Sequence, residues 1–218
     1  MKNEQKLSKV IPFYGGLNPD LFEIERRCMD RDDKVIDYLD GVLPNGLVLD
    51  VGAGNGYTAE KLIHGNRNVV AMEPDKNMID LTRNLIWSNG VAQVIPFHSN
   101  AFDAMYSTWA FFFDGIADID EGLAEVERVV KEDGKIIIVD NYGDDEFCSF
   151  SPHDISSTVS EWEERGFDYH IINTEFVFDS IEEAKKLFTF YFGKQGRQVN
   201  KTRIEYKVVA YTKGVFKR

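Results

Sequence analysis

The chain has 218 residues, enough for one domain with a sizeable buried core, and its 43% apolar and 28% charged residues describe a globular protein rather than a disordered one. The 25 Lys and Arg against 37 Asp and Glu leave a net charge of -12 spread along the chain. That disfavours nucleic acid as a partner, because phosphate backbones are bound by neutralising their charge, and only the stretch holding Lys194, Arg197, Lys201 and Arg203 is locally basic.

No apolar run is long enough to span a bilayer, and the N-terminus MKNEQKLSKV lacks the apolar core of a signal peptide, so a cytoplasmic protein with no membrane partner is expected. Cys28 and Cys148 are far apart and outside any metal-ligand spacing, which reads as two reduced packing residues and no metal site.

Residues 1–20, with Pro12, Gly15, Gly16 and Pro19, read as an irregular arm. Apolar positions from Leu21 to Leu39 fit two helical segments closed by Gly41, and Pro44-Asn45-Gly46 turns the chain into a first strand, Leu47 to Val51. A helix from Tyr57 to His64, a short apolar strand from Asn68 to Met72 and a helix from Asp75 to Arg83 follow. Ala104 to Phe113 reads as a strand running into a loop, Ile119 to Lys131 as a helix ending at Asp133-Gly134, and "KIIIVD" (135–140) as a buried strand.

This alternation predicts a parallel sheet covered by helices on both faces. The last third differs. A helix from Ile155 to Arg165 precedes an alternating strand from Phe167 to Phe178, with Ile172, Thr174, Phe176 and Phe178 on one side. Ser180 and Glu183 form a capping box for a helix to Phe192, and Arg203 to Tyr211 is a final strand with Ile204, Tyr206, Val208 and Ala210 on one face. Half-buried alternation is the antiparallel signature, so one of these two strands should be reversed.

Chemistry concentrates in "VLDVGAGNGYTAEKL" (48–62). A glycine turn between strand and helix can hold a dinucleotide, but that fingerprint is GxGxxG, whereas Gly52, Gly54 and Gly56 are spaced GxGxG. Asp50, two residues ahead of the first glycine, faces a pyrophosphate poorly and suits an ammonium group. Glu73 ends the next strand in "NVVAMEPD", where a carboxylate can accept two hydrogen bonds from a ribose diol. An adenosine bearing an amino acid satisfies both.

The segments "VLDVGAGNGYTAEKL", "VVAMEPDKNMI", "IPFHSNAFDAMYSTWA" and "GLAEVERVVKEDGKIIIVD" follow one another in the order and spacing of the class I S-adenosylmethionine-dependent methyltransferases, which the chain resembles, in their small-molecule subgroup, over roughly residues 45–142. The resemblance implies a Rossmann-like α/β fold: a seven-stranded, mostly parallel sheet with helices on both faces and an antiparallel last strand. Residues 45–218 would be the methyltransferase domain and 1–44 an arm and helices of the same domain.

It further implies S-adenosylmethionine as cofactor, with Asp50, Gly52, Ala53, Gly54, Asn55 and Gly56 lining its methionine half. Glu73, followed by Pro74, would hold the ribose. Met78 would pack near the adenine or into the core. Aligned on the family's "GDAxxLPF", the segment "GVAQVIPF" puts Val91 where the family's Asp receives the adenine amino group, leaving Ala92 and Gln93 beside the base.

Ligands in such folds bind outside the carboxyl ends of the strands, so Thr108, Trp109 and Ala110 should border the cofactor and the acceptor. The arm "IPFYGG" folds over the cofactor in this reading, with Tyr14 as its contact. Methyl transfer from a sulfonium needs alignment and exclusion of water more than a catalytic triad, and no residue is singled out as catalytic. Of the four histidines, His64 is explained by the last turn of its helix, and His153 is nearest the expected mouth, with Asp140, Asn141 and Tyr142, yet it, like His98 and His170, reads as solvated. The expected activity is methyl transfer to a small molecule. A cofactor-binding protein without activity and, less favoured, a nicotinamide-dependent oxidoreductase are the alternatives.

Overall fold

The computed structural model describes residues 14–111 and 119–215. Seven strands form one sheet: β1 (Gly46–Val51), β2 (Arg67–Met72), β3 (Ile86–Ser88), β4 (Phe102–Thr108), β5 (Val130–Asn141), β6 (Asp168–Val177) and β7 (Arg203–Gly214). Their order is β3-β2-β1-β4-β5-β7-β6, with β1 to β5 parallel to one another and β7 antiparallel to both β5 and β6. The reversed strand is therefore β7. The sheet order turns back between β1 and β4, and the crevice at that switch point lies at the carboxyl ends of the strands.

Neighbouring residues of one strand feed opposite faces. Val48, Ile137 and Val139 join the core that holds Val35, Leu39, Phe176 and Phe188, while Leu49, Ile136 and Ile138 join the one that holds Val126, Trp162 and Tyr211. Burial on both sides explains why the middle strands read as continuous apolar runs. The helices α1 (Tyr14–Leu17), α2 (Pro19–Cys28) and α3 (Lys34–Val42) contribute Ile24, Cys28, Val35 and Leu39 to the first of these cores. Residues 1–13, most of the expected arm, lie outside the described residues.

The remaining helices are α4 (Tyr57–Leu62), α5 (Ile119–Val129), α6 (Glu146–Ser149), α7 (Val159–Glu164) and α8 (Ile181–Phe192). Ser180 caps α8 as expected, its hydroxyl accepting from the Glu183 N–H at 3.2 Å, while the Glu183 carboxylate reaches one residue past the expected box and accepts from the Asp179 N–H at 3.3 Å. Among the described residues, no helix is long and apolar enough to cross a membrane.

Three expectations are corrected. The segment from Asp75 to Arg83 is a run of turns, not a helix. Asp75 accepts the Asn77 N–H at 2.9 Å and Asp80 accepts the Thr82 N–H at 3.0 Å, and such local side-chain bonds compete with the helical ladder. Gly41 lies within α3 rather than closing it, and the strand expected to reach Phe113 ends at Thr108. Asp133-Gly134 turns within β5, where the register to β4 shifts and Asp133 has φ 63°.

Candidate active site

The turn after β1 is pinned to the end of β2 by backbone. Gly52 and Ala53 both donate to the Met72 carbonyl, at 2.9 and 3.0 Å, and the Gly54 N–H donates to Glu73 Oε2 at 2.8 Å. Gly52 has φ +78°, and a Cβ there would stand 2.3 Å from the Ala110 Cβ, so glycine is what lets the loop after β4 close on this turn. Gly56, also at φ +78°, packs where a Cβ would strike Leu85 and the Trp87 ring.

A cavity of 690 Å³ opens beside this turn, within the range that holds small ligands. Ala53, Gly54 and Asn55 border it from the turn and Glu73 and Pro74 from the end of β2. Val91, Ala92 and Gln93 border it from the loop after β3, and Thr108, Trp109 and Ala110 from the end of β4. Tyr14 of α1 and Gly52 also line it. Eleven of the fourteen residues expected from the sequence thus meet at one cavity; Asp50, Gly56 and Met78 lie behind its wall.

Asp50 is 1% exposed because its side chain turns into the sheet, where Oδ2 accepts from the Tyr106 hydroxyl at 2.8 Å and Oδ1 is buried with no partner. Burial, opposed by that hydrogen bond and reinforced by the charge of Glu73, pushes its carboxyl up to about 7. Glu73 is likewise raised to about 7 by burial, against the N–H groups of Asp75 and Gly54 that it accepts. Met78 is buried behind Gly54, its Cε 3.7 Å from where a Cβ on that glycine would stand.

Trp109 holds a left-handed backbone, φ 50°, which a bulky side chain adopts only when its surroundings impose it. Here its N–H donates to the Val139 carbonyl at 2.9 Å and its indole donates to the Tyr206 hydroxyl at 2.6 Å, which in turn donates to Asn141 Oδ1 at 2.5 Å. The relay fixes the indole at the mouth of the cavity.

Asp140 and Asn141, expected near the mouth, line the cavity, but sequence reasoning missed most of the far wall: Glu25 of α2, Phe147 of α6, Tyr191 of α8 and Tyr206 of β7. Tyr14 donates to Glu25 and lies 3.0 Å from the Tyr191 hydroxyl. Burial drives the Glu25 carboxyl up, and it raises that of Asp140 to about 6, against the Asn141 N–H it accepts at 2.7 Å. The available signal was the aromatic run "LFTFYF" in α8, which periodicity explains as packing. None of the four histidines lines the cavity: His64 pairs with Asp40, His170 stacks on Tyr38, and His98 and His153 are exposed.

Residues 49–138 match the family model described as a methyltransferase domain. That segment, less than half of the chain, is similar to methyltransferase domains. It is 28% identical over 136 residues to the uncharacterized methyltransferase YcgJ of Bacillus subtilis, covering 53% of each chain. To the ubiquinone/menaquinone biosynthesis C-methyltransferase UbiE of Geotalea uraniireducens it is 28% identical over 153 residues, 64% of this chain and 63% of that one. The chain thus spans between about half and two thirds of the length of these two curated relatives.

The fold of this chain is shared with solved structures. The YcgJ crystal structure matches with a TM-score of 0.59 at 21% identity, covering 84% of this chain and 98% of that one. A Thermotoga maritima protein described as an S-adenosylmethionine-dependent methyltransferase, possibly for histamine, matches with a TM-score of 0.58 at 15% identity, over 93% and 98% of the two chains.

Proposed function

We propose that this chain transfers the methyl group of S-adenosylmethionine to a small-molecule acceptor. The observation that carries the reading is the turn from Gly52 to Asn55, held on the end of β2 by Glu73 and open to a cavity, within the segment that matches the family model. The residues present fit that cofactor. The lining offers Glu73 with lone pairs left beyond its two backbone partners, a glycine turn whose backbone a ligand can approach closely, and no side chain there larger than Asn55. The buried, unpartnered Oδ1 of Asp50 adds negative charge behind the turn, which suits a cationic ligand.

In this reading Glu73 holds the ribose, the 52–55 turn carries the amino-acid end, and Val91, Ala92 and Gln93 border the adenine. The cofactor supplies an electrophilic methyl carbon, and in transfer the acceptor's lone pair forms the new bond while the pair of the broken C–S bond stays on sulfur. The chain's task is to exclude water and to hold the acceptor in line, which the aromatic wall from Trp109 to Tyr191 is built to do. The reading also keeps the chain in the cytoplasm, where Cys28 and Cys148 stay reduced.

Calorimetric titration with S-adenosylhomocysteine and with NAD tests it. Saturable binding of the first is expected; tight NAD binding without it would overturn the proposal. Val91, in place of the family acid, favours a second reading in which the chain binds the cofactor but transfers nothing. Persistent failure to release S-adenosylhomocysteine across a broad panel of acceptors would support that reading.

A further inference from the structure

The part of the cavity away from the glycine turn has a distinct chemistry. Five aromatic side chains form a connected wall: Tyr14 meets Tyr191 edge-on at 5.9 Å, Tyr191 meets Phe147 at 6.2 Å, Phe147 meets Tyr206 at 4.8 Å, and Tyr206 stacks on Trp109 at 6.5 Å. A carboxylate stands at each end. Glu25 is bound to Tyr14 at one end, and Asp140 precedes Asn141, the acceptor of the Tyr206 hydroxyl, at the other. The hydrogen-bond donors these acids meet are neutral: the Tyr14 hydroxyl for Glu25 and the Asn141 N–H for Asp140.

Among the described residues that line the cavity, Arg26 alone carries a fixed positive charge, and its guanidinium lies over the Tyr57 ring, 4.8 Å from the centroid. Facing it are Glu25, Glu73, Asp75, Asp140, Asp154 and Glu161. Two of these, Glu73 and Asp75, belong to the glycine-turn side. Arg26 acts on Glu25, yet among the described residues the four acids on the aromatic side outnumber this one cation.

Aromatic faces beside desolvated carboxylates attract organic cations, by the ring quadrupole and by charge. An uncharged ring bound here would strip water from Asp140 and give nothing back, which is costly for a carboxylate. We propose that the acceptor is an amine, drawn in its cationic form to the wall of Tyr14, Tyr191, Phe147, Tyr206 and Trp109 by the acids Glu25 and Asp140; before transfer the ammonium gives its proton to one of these carboxylates, which frees the lone pair that forms the new N–C bond as the pair of the C–S bond stays on sulfur. The inference rests on the methyl-transfer reading for the word acceptor, but the cation site itself does not depend on it.

The full chain, saturated with S-adenosylhomocysteine, is titrated in a calorimeter with choline and with 3,3-dimethylbutan-1-ol, its uncharged isostere. Choline is expected to bind about tenfold or more tightly than the isostere, a factor worth ~1.4 kcal/mol. Glu25→Gln and Asp140→Asn should each weaken choline several-fold while leaving S-adenosylhomocysteine affinity and isostere binding as they are. Equal affinity for the two probes, no saturable choline binding, or mutual displacement of choline and S-adenosylhomocysteine would overturn the inference. Discrimination between the probes by a chain that fails to bind S-adenosylhomocysteine would support the cation site and sink the methyl-transfer reading instead. The wild-type comparison decides the matter even where a variant fails to fold.

Discussion

Asp50 makes a testable link between stability and binding. Its carboxyl titrates near 3.8 when solvated and is pushed up to about 7 in the folded chain, chiefly by burial. Between those two values the folded state keeps a proton that the unfolded state has released, so the folded state binds more protons and stability falls as pH rises. A gap of roughly three pH units corresponds to ~4 kcal/mol over the whole range, of which about 2 to 3 kcal/mol falls between pH 5 and pH 8. Asp50→Asn keeps an oxygen to accept from Tyr106 and removes the ionisation. Its amide N–H₂ would face the position where Oδ1 has no partner, a cost of about 1 to 3 kcal/mol that does not vary with pH.

The expectation is therefore about slope rather than absolute stability. Urea unfolding at several pH values should show the variant gaining about 2 to 3 kcal/mol relative to wild type from pH 5 to pH 8. Glu73, raised to about 7 in the same direction, stays in both proteins and gives both a residual decline. An ammonium group bound near Asp50 favours its ionised form, so binding of S-adenosylhomocysteine through its amino-acid end to wild type should release protons near pH 7, detected as a dependence of binding enthalpy on buffer, and release fewer from the variant. A difference between the two proteins that stays flat from pH 5 to pH 8 refutes the reasoning, because it would mean that Asp50 is ionised throughout.

Gly52→Ala places a Cβ 2.3 Å from Ala110 at a left-handed φ, so thermal or urea unfolding should show a loss of roughly 1 to 3 kcal/mol, and cofactor binding should fall with it. Glu73→Gln keeps an acceptor for one backbone N–H but loses the charge, and S-adenosylhomocysteine affinity measured by calorimetry should drop about tenfold or more, in line with one charge-assisted hydrogen bond of ~1.5 to 3 kcal/mol. Ser180→Ala removes the acceptor for the Glu183 N–H at the start of α8 and should cost about 1 kcal/mol in urea unfolding without changing S-adenosylhomocysteine affinity.

The parts of the fold legible in the sequence are those governed by neighbours along the chain. The apolar run of β5, the alternation of β6 and β7 and the Ser180 cap all report local rules, and they appear where those rules put them. The stretch from Asp75 to Arg83 shows the limit. Its apolar spacing at Met78, Ile79 and Leu81 fits a helix, yet Asp75 and Asp80 each bond a backbone N–H two residues on, and while Met78 is buried Leu81 is 80% exposed, so little apolar burial rewards the helical form.

The site divides along the same line. The turn from Gly52 to Gly56 and the acid at Glu73 lie in one βαβ unit, where close backbone approach dictates residue type, and a single sequence carries that constraint. The opposite wall is assembled from α1 and α2 near one end of the chain and α6, α8 and β7 in its last third, and each contributing side chain taken alone looks like packing. Tyr206 illustrates this. In the sequence it is one of four apolar positions on an alternating strand, and its burial is what that pattern demands. Its hydroxyl acquires meaning only when the antiparallel pairing of β5 and β7 brings it to Asn141 and the loop after β4 turns Trp109 onto it. The turn beside Glu73 is therefore written in local spacing, whereas the opposite wall depends on which distant side chains the sheet order brings together, and in the proposed reading the acceptor would be chosen by their charge rather than by any motif.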